Sequence, residues 1–483
     1  MDKIFNAILQ VFILLIIGIL VNIVIGETVN EGYFIETTIN VIPIKEDTGF
    51  QIQNHCILGS ERFSSNNLSI YLRQMDYTPH KPIHIDGDEE FILEAENEGW
   101  PGSGTMDSPY IIEGYEIDAS SVHGIWIENT RVYFIIRNCI IRGGGFYNDG
   151  VYLNSVQNGR IENTVSYNND RGIHLFRSSN NILFGNEAND NYYVGFYIYS
   201  SSNNILNGNI ANDNRWSGFY VDVSSYNVLT NNTADGNQYG FYVSSSRNSV
   251  LDNNRAAGDF GFYLISTSNS VLTNNVVSST GDGIYFSDGI YLKDSWENIL
   301  TNNRVCNSNE GIHLDSSSNN FLTNNMASYN TRGFYLYRSS SNVLTNNTID
   351  NNLIGVYIRY QSSENTIANN KVSKNRQHGV YLILSSNNTL TLNYIQNNVD
   401  NGIYLDSYSN NNEIYYNNII GNHWNAYIVQ SFRNKWYGNY WDDWIGIGPK
   451  IIHGRIKIFN ITVPWFNFDW HPARDPWRGD LVV

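Results

Sequence analysis

The chain has 483 residues, of which 29 are basic and 46 acidic, giving a net charge of −17. This balance disfavours nucleic acid and anionic membranes as partners. The 41% hydrophobic and 14% aromatic content excludes intrinsic disorder. The 73 Asn, 39 Gly and 34 Tyr residues argue against a helical protein.

The amino terminus carries a hydrophobic run from residue 4 to residue 25, preceded by Lys3. About 20 apolar residues are enough to span a bilayer, and no A-x-A cleavage site follows. We therefore predict that residues 1–26 form a membrane signal anchor, with a cleaved signal peptide as the alternative. In both cases the rest of the chain is exported to an extracellular or cell-surface location.

An N-terminal cap and the first coil are predicted between residues 86 and 121, after a segment of irregular structure at residues 27–85. Asp88 and Gly99 delimit a short amphipathic helix, with Asp88 as its N-cap and Gly99 as its stop signal. Phe91, Ile92 and Ala95 are expected to cover the first coil of the structure that follows.

An internal repeat fills residues 122–430. A tetrapeptide of Gly, apolar, aromatic and apolar residues recurs from Gly124 to Gly402, which is 278 residues in 12 steps, or about 23 residues per step. A second element, related to Ser-Ser-x-Asn-x-Leu-Thr-Asn-Asn, lies between successive glycines. It aligns a column of asparagines at positions 186, 209, 232, 254, 275, 303, 325, 347, 370, 393 and 417.

This period predicts an all-β fold, a right-handed single-stranded parallel β-helix (solenoid) of about 14 coils. Leucine-rich repeats would show a Leu-x-x-Leu-x-Leu spacing, and propeller blades need about 40 residues. The asparagines are predicted to form a ladder of stacked amides. Seven of the 11 Trp residues follow residue 423, so residues 431–483 are predicted to form an aromatic C-terminal cap.

Strand alternation assigns the side chains of the repeat to the interior or to the surface. The apolar residues on both sides of the aromatic residue point inward, and the aromatic residue points outward. The resulting column runs from Trp126 to Tyr427, with His174 and His313 as tyrosine substitutes.

Three sequence features resemble the NosD-like family of right-handed parallel β-helix proteins, within the group of carbohydrate-binding and sugar-hydrolase β-helix domains. They are the segment that starts at Trp100 (WPGSGT, then SPYIIEG), the repeats, and the closing GNYWDDW motif that starts at Gly438. The resemblance covers about residues 85–445 and implies the fold. Its namesake is a periplasmic factor linked to copper delivery, but the four Met and three Cys residues here are scattered.

The outward aromatic column is the first candidate site. Exposed aromatic side chains in a row, with flanking carboxylates, suit an extended glycan or a protein partner. The alternative is that tyrosine has a good strand propensity and stacks on itself. The candidate ligand-binding residues are Tyr263, Tyr291, Tyr335, Tyr357, Tyr381 and Tyr404.

An acidic cluster at a six-residue insertion is the second candidate site. Asp288 and Glu310 each precede the repeat glycine in neighbouring coils, and Asp282, Asp294 and Asp315 lie nearby. Asp288 and Glu310 are the catalytic candidates, and with Asp282 they are the candidates for binding a cation such as Ca²⁺. The alternative is an ion pair between Glu310 and Arg332, with Asp288 facing solvent. No cofactor is otherwise expected.

The sequence therefore predicts an exported β-helix surface protein that acts as a binding or structural module, with a polysaccharide or another surface protein as its partner. The second hypothesis is a secreted polysaccharide lyase, hydrolase or epimerase with a carboxylate site near residues 282–315.

Overall fold

Most coils of the chain contribute a short strand to each of three parallel sheets, and successive coils stack on one another. The computed structural model describes residues 76–278, 287–459 and 461–477. The predicted signal segment, most of the segment 27–85 and Asp282 lie outside these residues. The predicted all-β parallel β-helix is confirmed, with about 15 coils rather than 14.

The first sheet contains the strand that follows the repeat glycine, and each strand pairs in parallel with its copies one coil away. Its strands are Ile83–Asp86, Ile125–Glu128, Val151–Asn154, Arg171–Phe176, Val194–Tyr199, Ser217–Asp222, Asp288–Lys293, Glu310–Asp315, Arg332–Tyr337, Ile354–Arg359, Val380–Ile383, Asn401–Asp406, Trp424–Val429 and Lys450–Ile458. Two longer strands, Thr233–Ser244 and Arg255–Ile265, run from the third sheet into the first.

The second sheet contains the strand that precedes the asparagine column. Its strands are Tyr110–Glu113, Phe134–Arg137, Gly159–Glu162, Ile182–Phe184, Ile205–Asn207, Val228–Thr230, Val250–Asp252, Val271–Thr273, Ile299–Thr301, Phe321–Thr323, Val343–Thr345, Thr366–Ala368, Thr389–Thr391, Glu413–Tyr415, Lys435–Tyr437 and Ile461–Asp469.

The third sheet returns the chain to the next glycine. Its strands are Thr78–His80, Tyr115–Asp118, Ile140–Arg142, Val165–Tyr167, Glu187–Asn189, Val276–Ser278, Arg304–Cys306, Met326–Ser328, Thr348–Asp350, Lys371–Ser373, Tyr394–Gln396, Asn418–Ile420 and Tyr440–Trp441. Thr78–His80 and Ile83–Asp86 already pair with the coil that follows them. The solenoid therefore begins before the predicted boundary at residue 86.

The core lies inside the coils and follows the predicted alternation. Residues directly after the repeat glycine and two positions further on are buried along the solenoid. In its middle, Phe196, Phe219, Phe241 and Phe262 stack with ring centroids 4.6–4.8 Å apart. Burying one such side chain contributes about 1.5–3 kcal/mol.

The predicted asparagine ladder is present and fully hydrogen-bonded. Asn347 shows the pattern: its backbone N–H and its Nδ2 both donate to Oδ1 of Asn370 at 2.9 Å, and Nδ2 also donates to the carbonyl of Leu322. Its own Oδ1 accepts two hydrogen bonds from Asn325. Each amide therefore joins three coils, and the polar cost of its burial is offset.

Asp469 ends this ladder at the carboxyl-terminal end of the solenoid. Its buried carboxylate accepts hydrogen bonds from the backbone N–H and the Nδ2 of Asn439, from the N–H of Gly438 and from Trp441 Nε1. A carboxylate has acceptors only, so it satisfies the last amide without needing a further coil.

Two other properties of the repeat follow from the stacking. The residue before the ladder asparagine has a positive φ in many coils, 56° at both Asn324 and Asn346, which asparagine tolerates better than most residues. The repeat glycines are required for close approach between coils, since a Cβ on Gly333 would lie 2.7 Å from the carbonyl oxygen of Gly355.

The amino-terminal cap is the helix Asp88–Glu98, which ends at Gly99 in the left-handed conformation. Phe91 and Ala95 are buried as predicted, whereas Ile92 is 44% exposed and does not cover the coil. The N-cap is Gly87, not Asp88. The Asp88 carboxylate instead accepts hydrogen bonds from Thr130 Oγ1 and the N–H of Arg131, which attach the helix to the solenoid.

At the other end, Trp436 and Trp441 are buried beneath an antiparallel hairpin formed by Lys450–Ile458 and Ile461–Asp469. Trp424 and Trp470 are exposed, so only part of the aromatic cap is buried. No helix among the described residues has the length and apolarity needed to cross a bilayer; the segment 4–25 is outside them.

We predict that Asn347→Leu lowers the free energy of unfolding by about 3 kcal/mol, because it removes the acceptor of the buried Asn325 backbone N–H and the Nδ2 that donates to the Leu322 carbonyl and to Asn370 Oδ1. The exposed neighbour Asn346 provides the control, since Asn346→Gly preserves the positive φ and should cost less than about 0.5 kcal/mol. Urea denaturation of both variants checks the prediction, and equal losses would contradict the ladder's role.

Candidate functional site

An unbroken column of aromatic rings runs along the outer side of the first sheet. We call it the tyrosine column, and successive ring centroids in it are 4.5–6.2 Å apart. Its members are Trp126, Tyr152, His174, Tyr197, Tyr220, Tyr242, Tyr263, Tyr291, His313, Tyr335, Tyr357, Tyr381, Tyr404 and Tyr427. All six candidate tyrosines lie in it.

The rings pack against one another rather than lying flat on the surface. Tyr335 and Tyr357 are buried and the other four candidates are half-buried. Most ring faces are therefore turned toward the next coil, and the column presents mainly its edges and hydroxyl groups outward. Burial raises the pKa of Tyr263, Tyr335 and Tyr404 to about 12, which keeps these phenols protonated at neutral pH.

Carboxylates beside the column accept hydrogen bonds from some of these phenols. Tyr291 donates to Asp315 and Tyr381 donates to Asp406, each at 3.1 Å. Tyr220 donates at the same distance to Asp222, two residues further along its own strand. The outer side of the first sheet thus carries repeated pairs of a phenol and a carboxylate.

The structure places Asp288 and Glu310 opposite each other in adjacent strands but gives them different partners. Glu310 forms an ion pair with Arg332, as one alternative predicted. Asp288 does not face solvent: it is mostly buried and bonds His313 Nδ1 at 2.9 Å. Burial raises the pKa of Glu310 to about 7, with Arg332 opposing that shift and Asp288 adding to it.

A second cluster of the same design occurs six coils earlier, where the sequence analysis placed no site. Asp149 precedes a repeat glycine, and His174 Nδ1 bonds its carboxylate at 2.8 Å. Arg171 Nη1 lies 3.1 Å from the same carboxylate. Burial would raise the pKa of Asp149, but the hydrogen bond from His174 and the charge of Arg171 hold it below its usual value. Burial lowers the pKa of His174.

Each of the two histidines is held by a carboxylate at Nδ1 and by an aromatic ring on either side. His174 lies 4.8 Å from the rings of Tyr152 and Tyr197. His313 lies 4.5 Å from Tyr291 and 4.6 Å from Tyr335. Among the described residues, Nε2 of each histidine is buried without a hydrogen-bond partner.

A repeated sequence signal marks these pairs. Both histidines occur in Gly-Ile-His-Leu, and the coil before each begins with Asp-Gly-(Val/Ile)-Tyr-Leu, so aspartate and histidine are 25 residues apart in both cases. The interpretation of the two histidines as tyrosine substitutes did not predict these Asp–His contacts, because each aspartate lies in the preceding coil.

Between the two Asp–His pairs lies a second row of aromatic rings, which we call the aromatic platform: Tyr193, Trp216, Tyr239 and Phe260. Its successive centroids are 5.1, 5.6 and 5.0 Å apart. Trp216 also contacts Tyr220 and Tyr242 of the tyrosine column, at 4.8 and 4.9 Å. The surface is therefore two rings wide over these coils.

The predicted cation site is not assembled by the described residues. Within residues 76–278, 287–459 and 461–477, no group of three or more His, Cys, Asp or Glu side chains has the proximity of a metal-ligand set. Asp282, the third predicted ligand, lies outside these ranges, so Ca²⁺ binding stays a prediction.

Two family models cover most of the solenoid. Residues 102–256 match the model for a right-handed β-helix region, and residues 257–446 match the model for NosD, a periplasmic copper-binding protein. The chain belongs to the right-handed β-helix proteins. The handedness that the sequence predicted for this β-helix protein is thereby confirmed, as is its resemblance to NosD.

The chain is also similar, at low identity, to several solved structures. The periplasmic alginate epimerase AlgG is 14% identical with a TM-score of 0.40, over 77% of this chain and 88% of that one. PfbA, a surface adhesin of Streptococcus pneumoniae, is 13% identical with a TM-score of 0.35, over 73% and 92%. The alginate lyase AlyF-OU02 is 12% identical with a TM-score of 0.38, over 82% and 92%. No curated protein matches the chain.

We predict a pH-dependent stability contribution from Glu310. Because its folded pKa of about 7 exceeds the ordinary value of 4.5, the folded protein holds an extra proton between these values. The free energy of unfolding therefore falls as pH rises through this window. Relative to Glu310→Gln, wild type should lose up to about 3 kcal/mol between pH 4 and pH 8. Urea titrations across this range test it, and a constant difference would contradict it.

Proposed function

We propose that this protein binds an extended, hydroxyl-rich polysaccharide along the outer side of the first sheet, outside the cytoplasm. The observation that carries the proposal is the unbroken tyrosine column with its phenol–carboxylate pairs. The match to a family described as periplasmic supports the location.

The dimensions of this surface suit a linear polymer. The coils repeat about every 4.8 Å, so the two Asp–His pairs are about 30 Å apart along the solenoid. The column continues beyond both pairs, and the aromatic platform widens the surface between them. A small molecule would contact only a few coils, whereas a polymer would meet the same groups again at each coil.

The chemistry of the surface favours hydrogen bonding at ring edges over stacking on ring faces. Phenol hydroxyls with raised pKa remain donors, and Asp222, Asp315 and Asp406 supply acceptors beside them. Sugar hydroxyl groups both donate and accept, so they complement this pairing. Half-buried aromatic side chains supply the apolar contact that excludes water.

The charge of the chain favours an uncharged polymer. Beside the column, Asp222, Asp315 and Asp406 outnumber the cations Lys293 and Arg359 at the same position of the repeat, and with the net charge of −17 they would repel a polyanion such as a uronic-acid polymer. We therefore propose a neutral glycan as the ligand.

The Asp–His pairs are the observation that favours the second hypothesis, a polysaccharide-modifying enzyme. A carboxylate that fixes an imidazole at Nδ1 leaves Nε2 available as a general base. In both pairs, however, Nε2 is buried, and a base must reach the proton that it removes. We therefore place binding ahead of catalysis.

We predict that Tyr291→Ala weakens binding of neutral polysaccharides at least tenfold, while Tyr291→Phe has a smaller effect because it removes only the hydroxyl that donates to Asp315. Phe184→Ala is the control, since Phe184 is an exposed aromatic residue on a strand of the second sheet. Affinity electrophoresis through gels containing a panel of neutral and acidic glycans measures the effect.

Equal losses in Tyr291→Ala and Phe184→Ala, or binding to acidic glycans alone, would contradict the proposal. Absence of binding to every glycan would leave a protein partner as the occupant of the column. A fall in polysaccharide viscosity that Asp288→Asn and His313→Gln both abolish would replace binding by catalysis.

A further inference from the structure

The carboxyl-terminal hairpin is basic and apolar, whereas the chain as a whole is acidic. Residues 450–468 contain Lys450, Arg455 and Lys457 and no Asp or Glu, within a protein that has 46 acidic and 29 basic residues. At its turn, Phe459 is 96% exposed and Ile461 67% exposed. Phe459 and Ile461 are exposed and therefore do not cover the last coil of the solenoid.

Only the base of the hairpin is attached to the last coil. Its first strand pairs with Trp424–Val429 through His453, Gly454 and Arg455. From Ile456 onward the two strands pair only with each other, as in Lys457 with Thr462 and Ile458 with Ile461. A two-stranded ribbon without further packing is marginal in water. The distal part would therefore be stabilised by an environment that covers its apolar side chains.

We propose that the hairpin tip inserts into the interface of a lipid bilayer that contains anionic lipids. Ile458 and Ile461 face one side of the ribbon and Phe459 lies at the turn, so a flat protein surface would cover only part of this cluster. A bilayer surrounds a projecting tip on all sides.

Lys457 lies at the depth that this orientation requires. Lys457 precedes Phe459 by two residues, about 7 Å of strand. An insertion of that depth leaves its ammonium group among the headgroups, near anionic phosphates.

The net charge of the chain does not oppose this contact at short range. At physiological ionic strength charges are screened over about 8 Å. The tip is a projection without acidic residues, so headgroups beside it meet mainly Lys457 and Arg455. The segment 4–25 plays no part in this proposal.

Fluorescence from a label at the tip tests the proposal in the full chain, independently of whether residues 4–25 also bind vesicles. In a Cys56→Ser background, Phe459→Cys carries an environment-sensitive nitrobenzoxadiazole label, because Cys139 and Cys306 are buried. The matched position is Tyr147→Cys, since Tyr147 is 87% exposed in an early coil. We expect a blue shift at position 459 on phosphatidylcholine–phosphatidylglycerol vesicles and none at position 147.

Lys457→Gln and Ile461→Ser, each with the label at position 459, should reduce the shift. An unchanged emission at position 459 would overturn the proposal. This holds even if the protein floats with the vesicles, since another segment could then be responsible for binding. An equal shift at position 147 would overturn it as well. An equal shift at 459 on pure phosphatidylcholine vesicles would overturn the role assigned to Lys457.

Discussion

The interaction on which this structure depends is the hydrogen bonding of buried asparagine amides between coils. A β-helix interior is narrow, and each coil must turn three times within about 23 residues. Every corner exposes backbone groups that no strand can satisfy. The ladder amides satisfy those at one corner, because each amide bonds the coil before and the coil after its own, and separate buried asparagine columns, such as the one through Asn181 and Asn204 and the one through Asn191 and Asn214, bond in the same way. Each ladder asparagine donates to the next coil. The last one, Asn439, has no further coil to donate to, and the carboxylate of Asp469 accepts its hydrogen bonds instead.

The functional surface is a consequence of the same stacking. Since the ladder fixes the register, a residue type that recurs once per coil becomes a continuous row on the surface. Tyrosine in this position gives a row of phenols, and aspartate at a neighbouring position gives acceptors for them. The two Asp–His pairs arise when aspartate precedes one glycine and histidine follows the next. Local departures from the repeat therefore create distinct chemistry on a regular support.

The fold and the residue columns could be predicted from the sequence, because the length of the repeat shows which residues align in successive coils. The asparagine column, the inward pairs around each aromatic residue and the ion pair of Glu310 with Arg332 all follow from counting residues per coil. The contacts of Asp288 and Asp149 with histidines were missed, although the same counting contains them. The direction of the tyrosine rings depends on packing between neighbours, which a period does not specify. The hairpin lies outside the repeat, so only its composition was informative.

The ends of the solenoid show the same limit. Gly99 ends the capping helix as its residue type indicates. Asp88, however, is not the N-cap, and its carboxylate instead accepts a hydrogen bond from Thr130, 42 residues away. Similarly, Asp469 reaches the ladder from a strand 30 residues after Asn439. Long-range partners of this kind leave no local pattern in the sequence.

Deletion of one complete coil tests the central claim, which is that equivalent residues align coil on coil through the ladder. Ladder residues Asn325 and Asn347 are 22 residues apart, so removing residues 333–354 brings Asn325 against Asn370 and keeps every column in register. The account predicts a β-sheet circular-dichroism spectrum and cooperative unfolding for this variant, and loss of both when only residues 333–343 are removed. Equal behaviour of the two deletions would contradict it.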